Sequence, residues 1–148
     1  MDSVKVPSAP SFPPWATPHV AALADRLLDA VRRSLAQEDW QGLRPSHLRL
    51  LGLVPPEGTT TTDLAPLLRM TKQAAGQFVG HLEGTGHLQV RTDGSDRRRR
   101  VVRRTERGDA AVAAVDARLD ALEARWAERV GADRYRTFRE VILELPDL

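Results

Sequence analysis

The sequence predicts a mainly α-helical fold with one small β-hairpin, and three observations predict it. Apolar residues recur at three- and four-residue steps in both halves of the chain. Cap and breaker residues divide that pattern into separate helices, and the stretch from His87 to Thr105 switches to strand-like segments around a charged turn. Two tightly joined helices precede the hairpin, the second with a polar leading edge. Together they predict a winged helix-turn-helix flanked by N- and C-terminal helices.

Met1 to Pro14 is rich in proline and lacks the charge and apolar core of a signal peptide, so it reads as a flexible arm, and a cytoplasmic location is expected. Thr17-Pro18 then resembles an N-cap followed by proline at the first helical position, opening a helix whose apolar stripe is Val20, Leu23, Leu27, Val31 and Leu35. The segment around Trp40, Gly42 and Leu43 is a connector. Pro45 sits in the first turn of a second helix, carrying Leu48, Leu51 and Leu53 until Pro55-Pro56 stops it. A third helix, Asp63 to Arg69, is expected to bury Leu64, Leu67 and Leu68, with Pro66 in its first turn. The fourth opens at Thr71 and turns Ala74, Ala75, Phe78, Val79 and Leu82 inward, leaving Lys72, Gln73 and Gln77 at its polar edge.

Gly84 and Gly86 end that helix. His87 to Arg91 and Arg99 to Thr105 form the hairpin strands, with Leu88, Val90, Val101 and Val102 as their apolar residues. Glu106-Arg107-Gly108 is expected to break the chain. Val112, Val115, Leu119, Leu122, Trp126 and Val130 then mark a helix about 30 Å long. Gly131 ends it, Asp133 is expected to cap a last amphipathic helix with Tyr135, Phe138, Val141, Ile142 and Leu145, and Pro146 closes the pattern. This is more amphipathic surface than one small winged domain buries, which points to a dimer. The organisation is therefore a flexible arm at 1–16, an N-terminal dimerisation helix and connector at 17–42, a DNA-binding unit at 43–108 and C-terminal dimerisation helices at 109–148.

The formal net charge of the 148 residues is only +2, but Arg91, Arg97, Arg98, Arg99, Arg100, Arg103, Arg104 and Arg107 crowd one stretch against Asp93, Asp96 and Glu106. Local excess governs attraction to phosphate, because exposed charges are screened beyond about 8 Å at physiological salt. Other chemistries find no residues to carry them. The absence of cysteine removes disulfides, thiol redox sensing and Cys-ligated zinc, and the four scattered histidines make no metal site. No apolar run reaches the roughly 20 residues of a membrane span. There is no phosphate loop, paired metal motif or nucleophile with an identifiable base, so neither an enzyme nor a cofactor is expected.

Leu43-Arg44-Pro45, Asp63-Leu64-Ala65, Met70-Thr71-Lys72-Gln73, Leu82-Glu83 with Gly86, Asp93, Asp96-Arg97-Arg98 and Thr105-Glu106-Arg107-Gly108 follow one another in an order and spacing that resemble the multiple antibiotic resistance regulator (MarR) family of winged helix-turn-helix transcription factors. His87, Gly94 and Arg104 depart from its usual pattern, which has an apolar residue, a proline and a leucine at those places. The resemblance implies a homodimer whose terminal helices interlock and whose winged units bind a near-palindromic operator on double-stranded DNA. It also implies repression relieved by a small aromatic or anionic effector.

Thr71 either caps its helix alone or also meets a phosphate. Gln73 and Gln77, four residues apart, share a face and can bond adenine edges in the major groove, while Lys72 suits a phosphate. At the hairpin tip, Arg97 and Arg98 are the expected groove residues. Asp96 orients them by an ion pair, Arg99 adds a phosphate clamp, and the resemblance favours Arg98 for the minor groove. Trp15, His19, Trp40, Arg44, His47 and Leu48 lie where the family builds its effector pocket. The alternative is a winged-helix protein-interaction module with weak or no DNA binding.

Overall fold

A computed structural model describes residues 19–38, 40, 42–92, 94 and 100–145. Among them the element order is α1 (Val20–Ala36), α2 (Pro45–Leu53), α3 (Thr61–Leu67), α4 (Lys72–Gly84), β1 (Leu88–Thr92), β2 (Arg100–Arg104), α5 (Glu106–Val130) and α6 (Ala132–Glu144). Trp15, Thr17-Pro18, Asp96 to Arg99 and Pro146 lie outside the described residues. The mainly helical class with a single hairpin is as expected. No described helix is long and apolar enough to cross a membrane.

The core is assembled from short elements around α2. Leu48, Leu50 and Leu51 of α2 and Val54 after it pack with Leu64 and Leu68, Val79 and Leu82 of α4, Leu88 of β1 and Val102 of β2. Leu50, Leu51, Val54, Leu64, Leu82 and Val102 have no exposed surface. Burying a leucine or valine side chain fully contributes about 1.5–3 kcal/mol, so this cluster rather than helix propensity holds α3 and α4. The hairpin is antiparallel, with Leu88 opposite Arg104 and Val90 opposite Val102. On its other side Val102 exchanges backbone hydrogen bonds with Thr59, at 2.7 and 3.0 Å, which fastens the wing to the loop before α3.

Several local expectations are corrected. α3 opens earlier than expected, at Thr61, because Thr60 Oγ1 accepts the Asp63 N–H. Pro66 therefore lies beyond the first turn, and Leu67 is 56% exposed while Ala65 is buried, since so short a helix turns only one side inward. Gly108 is not a break. Thr105 caps α5 by accepting the Gly108 N–H, and the buried Gly108 lies in the first turn against the His87 carbonyl, where a Cβ would collide. Asp133 does not cap α6; Gly131 holds that position, and the Asp133 carboxylate bonds Arg136 at 2.7 Å instead. The described part of α1 starts at Val20 with His19 at its N-cap and no side-chain cap.

Arg104 earns a place that sequence alone could not assign. Its Nε donates to Asp109 Oδ1 at 2.7 Å and its Nη1 to the Leu51 carbonyl at 3.3 Å, joining the end of β2 to α5 and to α2.

Candidate functional site

The polar edge of α4 is built by its cap. Thr71 has extended backbone, and its Oγ1 accepts the Ala74 N–H at 3.2 Å, which caps the helix that begins at Lys72. Ala75, Val79 and Leu82 are buried on one side, and Thr71, Lys72, Gln73 and Gln77 are exposed. Gln73 and Gln77 thus stand one turn apart on the open face. The turn from α3 runs through Arg69, whose φ of 53° is left-handed, and Met70 N–H returns to the Ala65 carbonyl at 3.0 Å. That tight turn fixes the angle between the two helices.

Gly86 (φ 76°) turns the chain from α4 into the hairpin, with His87 N–H bonded to the Leu82 carbonyl at 2.8 Å. The Glu83 carboxylate accepts the Val90 N–H at 3.2 Å, so its role is to hold β1 on α4. Arg91, Arg100 and Arg103 are exposed on the hairpin. Asp96, Arg97, Arg98 and Arg99 fall outside the described residues.

A second concavity lies between α2, the connector and α5. Its volume is about 530 Å³. Trp40 and Leu48 form one wall, and His87 lies at the boundary with the winged unit. The α5 wall consists of Ala110, Ala111, Ala114, Ala117 and Ala121, with Arg107 ahead of them and Arg118 among them. Arg118 is braced: its guanidinium bonds the Ser34 carbonyl and Gln37 Oε1 and lies 3.4 Å from Glu38 Oε1. Trp40 is fixed by donation from its indole N–H to the Leu35 carbonyl.

Of the residues expected at an effector pocket, only Trp40 and Leu48 line this cavity among those described. His19 is exposed at the start of α1, and Arg44 is the exposed N-cap of α2. His47 faces α4. Its ring stacks on His81 at 4.4 Å and meets the Phe78 ring edge-on at 5.1 Å, while its Nδ1 accepts the Arg44 N–H at 3.1 Å. Burial, and then His81 and Arg44, hold the His47 pKa below the ordinary histidine value.

His87, Arg107, Arg118 and the alanine wall were absent from the expected pocket. A signal existed in the sequence: alanines at 110, 114, 117 and 121 recur with the helical period beside the larger stripe of α5. Small residues carry no weight in an apolar-stripe reading, yet they are what leaves room.

No protein-family model and no curated protein matches the sequence. Solved structures do match. A mutant of S. aureus MepR is 17% identical, with 84% of this chain and 90% of that one covered at a TM-score of 0.70. A MarR-family transcriptional regulator from Rhodococcus sp. is 23% identical, covering 86% and 91% at a TM-score of 0.64. The transcriptional repressor CouR bound to a 23-mer DNA duplex is 22% identical, covering 84% and 90% at a TM-score of 0.68. CouR from Rhodococcus jostii bound to p-coumaroyl-CoA is 24% identical, covering 86% and 90% at a TM-score of 0.64. The likeness at these identities establishes a shared fold.

Proposed function

We propose that this chain, which has the MarR-type winged-helix fold, is a homodimeric, sequence-specific DNA-binding transcriptional regulator without enzymatic activity, a cytoplasmic repressor released by a small aromatic or anionic ligand. The observation that carries the reading is the Thr71-capped α4, which exposes Lys72, Gln73 and Gln77 on the second helix of a helix-turn-helix beside a basic hairpin. Gln73 and Gln77 read base edges in the major groove, and Lys72 and Thr71 hold phosphates. Arg97 and Arg98 reach the minor groove, with Asp96 orienting them and Arg99 on the backbone. Support comes from CouR and MepR, whose structures include complexes with DNA.

The dimer follows from unpartnered apolar faces. Val20, Leu23, Leu27 and Leu28 of α1 and Phe138, Val141, Ile142 and Leu143 of α6 are exposed in the single chain. Two interlocked copies would cover them and set the recognition helices roughly 34 Å apart, one turn of DNA. The cavity walled by Trp40 and Leu48 is the proposed effector site, supported by the p-coumaroyl-CoA complex of CouR and the ethidium complex of MepR.

Fluorescence anisotropy against DNA from upstream of the chain's own gene tests the reading. With about four phosphates neutralised per subunit, log affinity should fall against log salt with a slope of about −7. Gln73→Ala or Gln77→Ala should relax discrimination at particular base pairs by about 1–3 kcal/mol, and Arg98→Ala should weaken binding. Absence of salt-dependent binding, or indifference to Arg98→Ala, would favour a protein-interaction module.

A further inference from the structure

His87 is 2% exposed, yet it lines the cavity. Its Nδ1 lies 2.9 Å from Thr85 Oγ1, which leaves Nε2 as the ring nitrogen available to the cavity. Thr85 Oγ1 also lies 3.1 Å from the His81 carbonyl and 3.2 Å from the Leu82 carbonyl. A hydroxyl has one proton to donate, and two helix carbonyls compete for it. The His87 Nδ1–H then donates to Oγ1, and Nε2 is a bare acceptor at the edge of an otherwise largely apolar space.

We infer that His87 is the group in the cavity that selects a planar aromatic ligand bearing an acidic oxygen, and that it receives that oxygen at Nε2. The inference rests on the reading of the cavity as an effector site and deepens it. The indole of Trp40 and the alanine wall of α5 suit a flat apolar body, because the alanines present only methyl groups opposite the ring. The acidic oxygen goes to the His87 end of the cavity, where the Arg107 guanidinium also lines the wall and favours an anion, because Arg118 is already held by Ser34, Gln37 and Glu38.

Proton balance gives the inference a measurable signature. Burial, the Arg107 guanidinium of α5 and His81 of α4 all oppose charging of the His87 ring in the empty cavity, so it is neutral there at pH 7. Besides Arg107, Glu38 and Arg118 are the charged groups lining the cavity, and they pair with each other. A carboxylate arriving from water is already ionised. To form one hydrogen bond with a bare nitrogen it must bring one proton from solvent. The proton lies on Nε2 or on the ligand oxygen, but one is taken up either way.

Position makes this contact useful. The His87 carbonyl accepts the Thr105 N–H at 3.2 Å and packs on Gly108, while its N–H closes the end of α4. A ligand on the ring therefore pulls on the residue that joins the recognition helix, the hairpin and α5.

Isothermal titration of the full chain with 2-naphthoate, and with its uncharged methyl ester as control, tests the assignment. Between pH 7 and 8 the wild-type affinity for naphthoate should fall roughly tenfold, with about one proton taken up on binding. His87→Gln, which keeps a partner for Thr85, and His87→Leu should each weaken naphthoate about tenfold and remove the proton uptake, while the ester binds as before. Ala114→Trp, which fills the cavity, should abolish both. If both His87 variants keep the naphthoate affinity and its pH dependence, the role given to His87 is overturned, and the effector cavity stands provided Ala114→Trp still blocks binding. If the wild type binds neither probe, or Ala114→Trp leaves binding intact, the cavity reading falls as well.

Discussion

Arg69 and Gly108 each sit where the backbone, not the side chain, decides what is tolerated. Arg69 occupies the left-handed region at φ 53°, where a Cβ-branched residue is strained. Arg69→Val should lower unfolding stability by about 1–2 kcal/mol in a urea titration, and DNA affinity should drop with it because the α3–α4 angle depends on this turn. Gly108→Ala should cost about 1–3 kcal/mol by forcing β1 and α5 apart. Gly80, on the exposed side of α4 with open space around it, supplies the contrast, and Gly80→Ala should raise stability by about 1 kcal/mol in the same assay. Sequence presents all three glycine and arginine positions alike. Whether a glycine breaks a helix, weakens it or permits contact depends on what stands opposite, and for Gly108 that is a carbonyl twenty-one positions back in the chain.

Elements whose ends are chemically marked were legible. Thr71 and the Gly84 to Gly86 segment delimit α4 closely, and Pro45 opens α2 as its position implies. Faces were legible only where the partner was implied. Leu64 and Leu68 meet a core, but the same apolar period placed Leu67 inside when it faces out, because a two-turn helix does not announce which side has company. The α2–α4 contact shows the same limit: the His47–His81 stack was invisible in sequence, since thirty-four residues separate the two rings. It has a pH signature. Folding holds His47 and His87 below their ordinary pKa, so the unfolded chain binds more protons as pH falls through 6.5. The stability they support is complete above that value and declines below it toward their folded pKa values. Thermal melts from pH 7.5 to 5 should show falling midpoints, and His47→Phe should flatten the part due to the stack.

At the scale of the whole molecule, the apolar faces of α1 and α6 are the strongest argument for a second copy. Leu143 is 81% exposed and Val20 72%, values out of keeping with a free surface that carries so many neighbours of the same kind. Sedimentation of the wild type should give a dimer, and Leu27→Glu with Ile142→Glu should give a folded monomer that loses most of its operator affinity. The amphipathic excess was readable from the chain itself. The cavity was read only through Trp40 and Leu48, because its other walls are alanines on α5 and a histidine that the fold brings beside them.

The seat of Gly108 on the His87 carbonyl also makes α5 a lever. The helix has 25 residues and is therefore about 37 Å long, and its first turn is gripped by the wing while its far end joins α6. With a fulcrum that close to one end, a tilt of about 5° at the grip displaces the other end by roughly 3 Å over that length. A change too small to alter the hairpin's own shape would thus alter the span between the two copies of the proposed dimer.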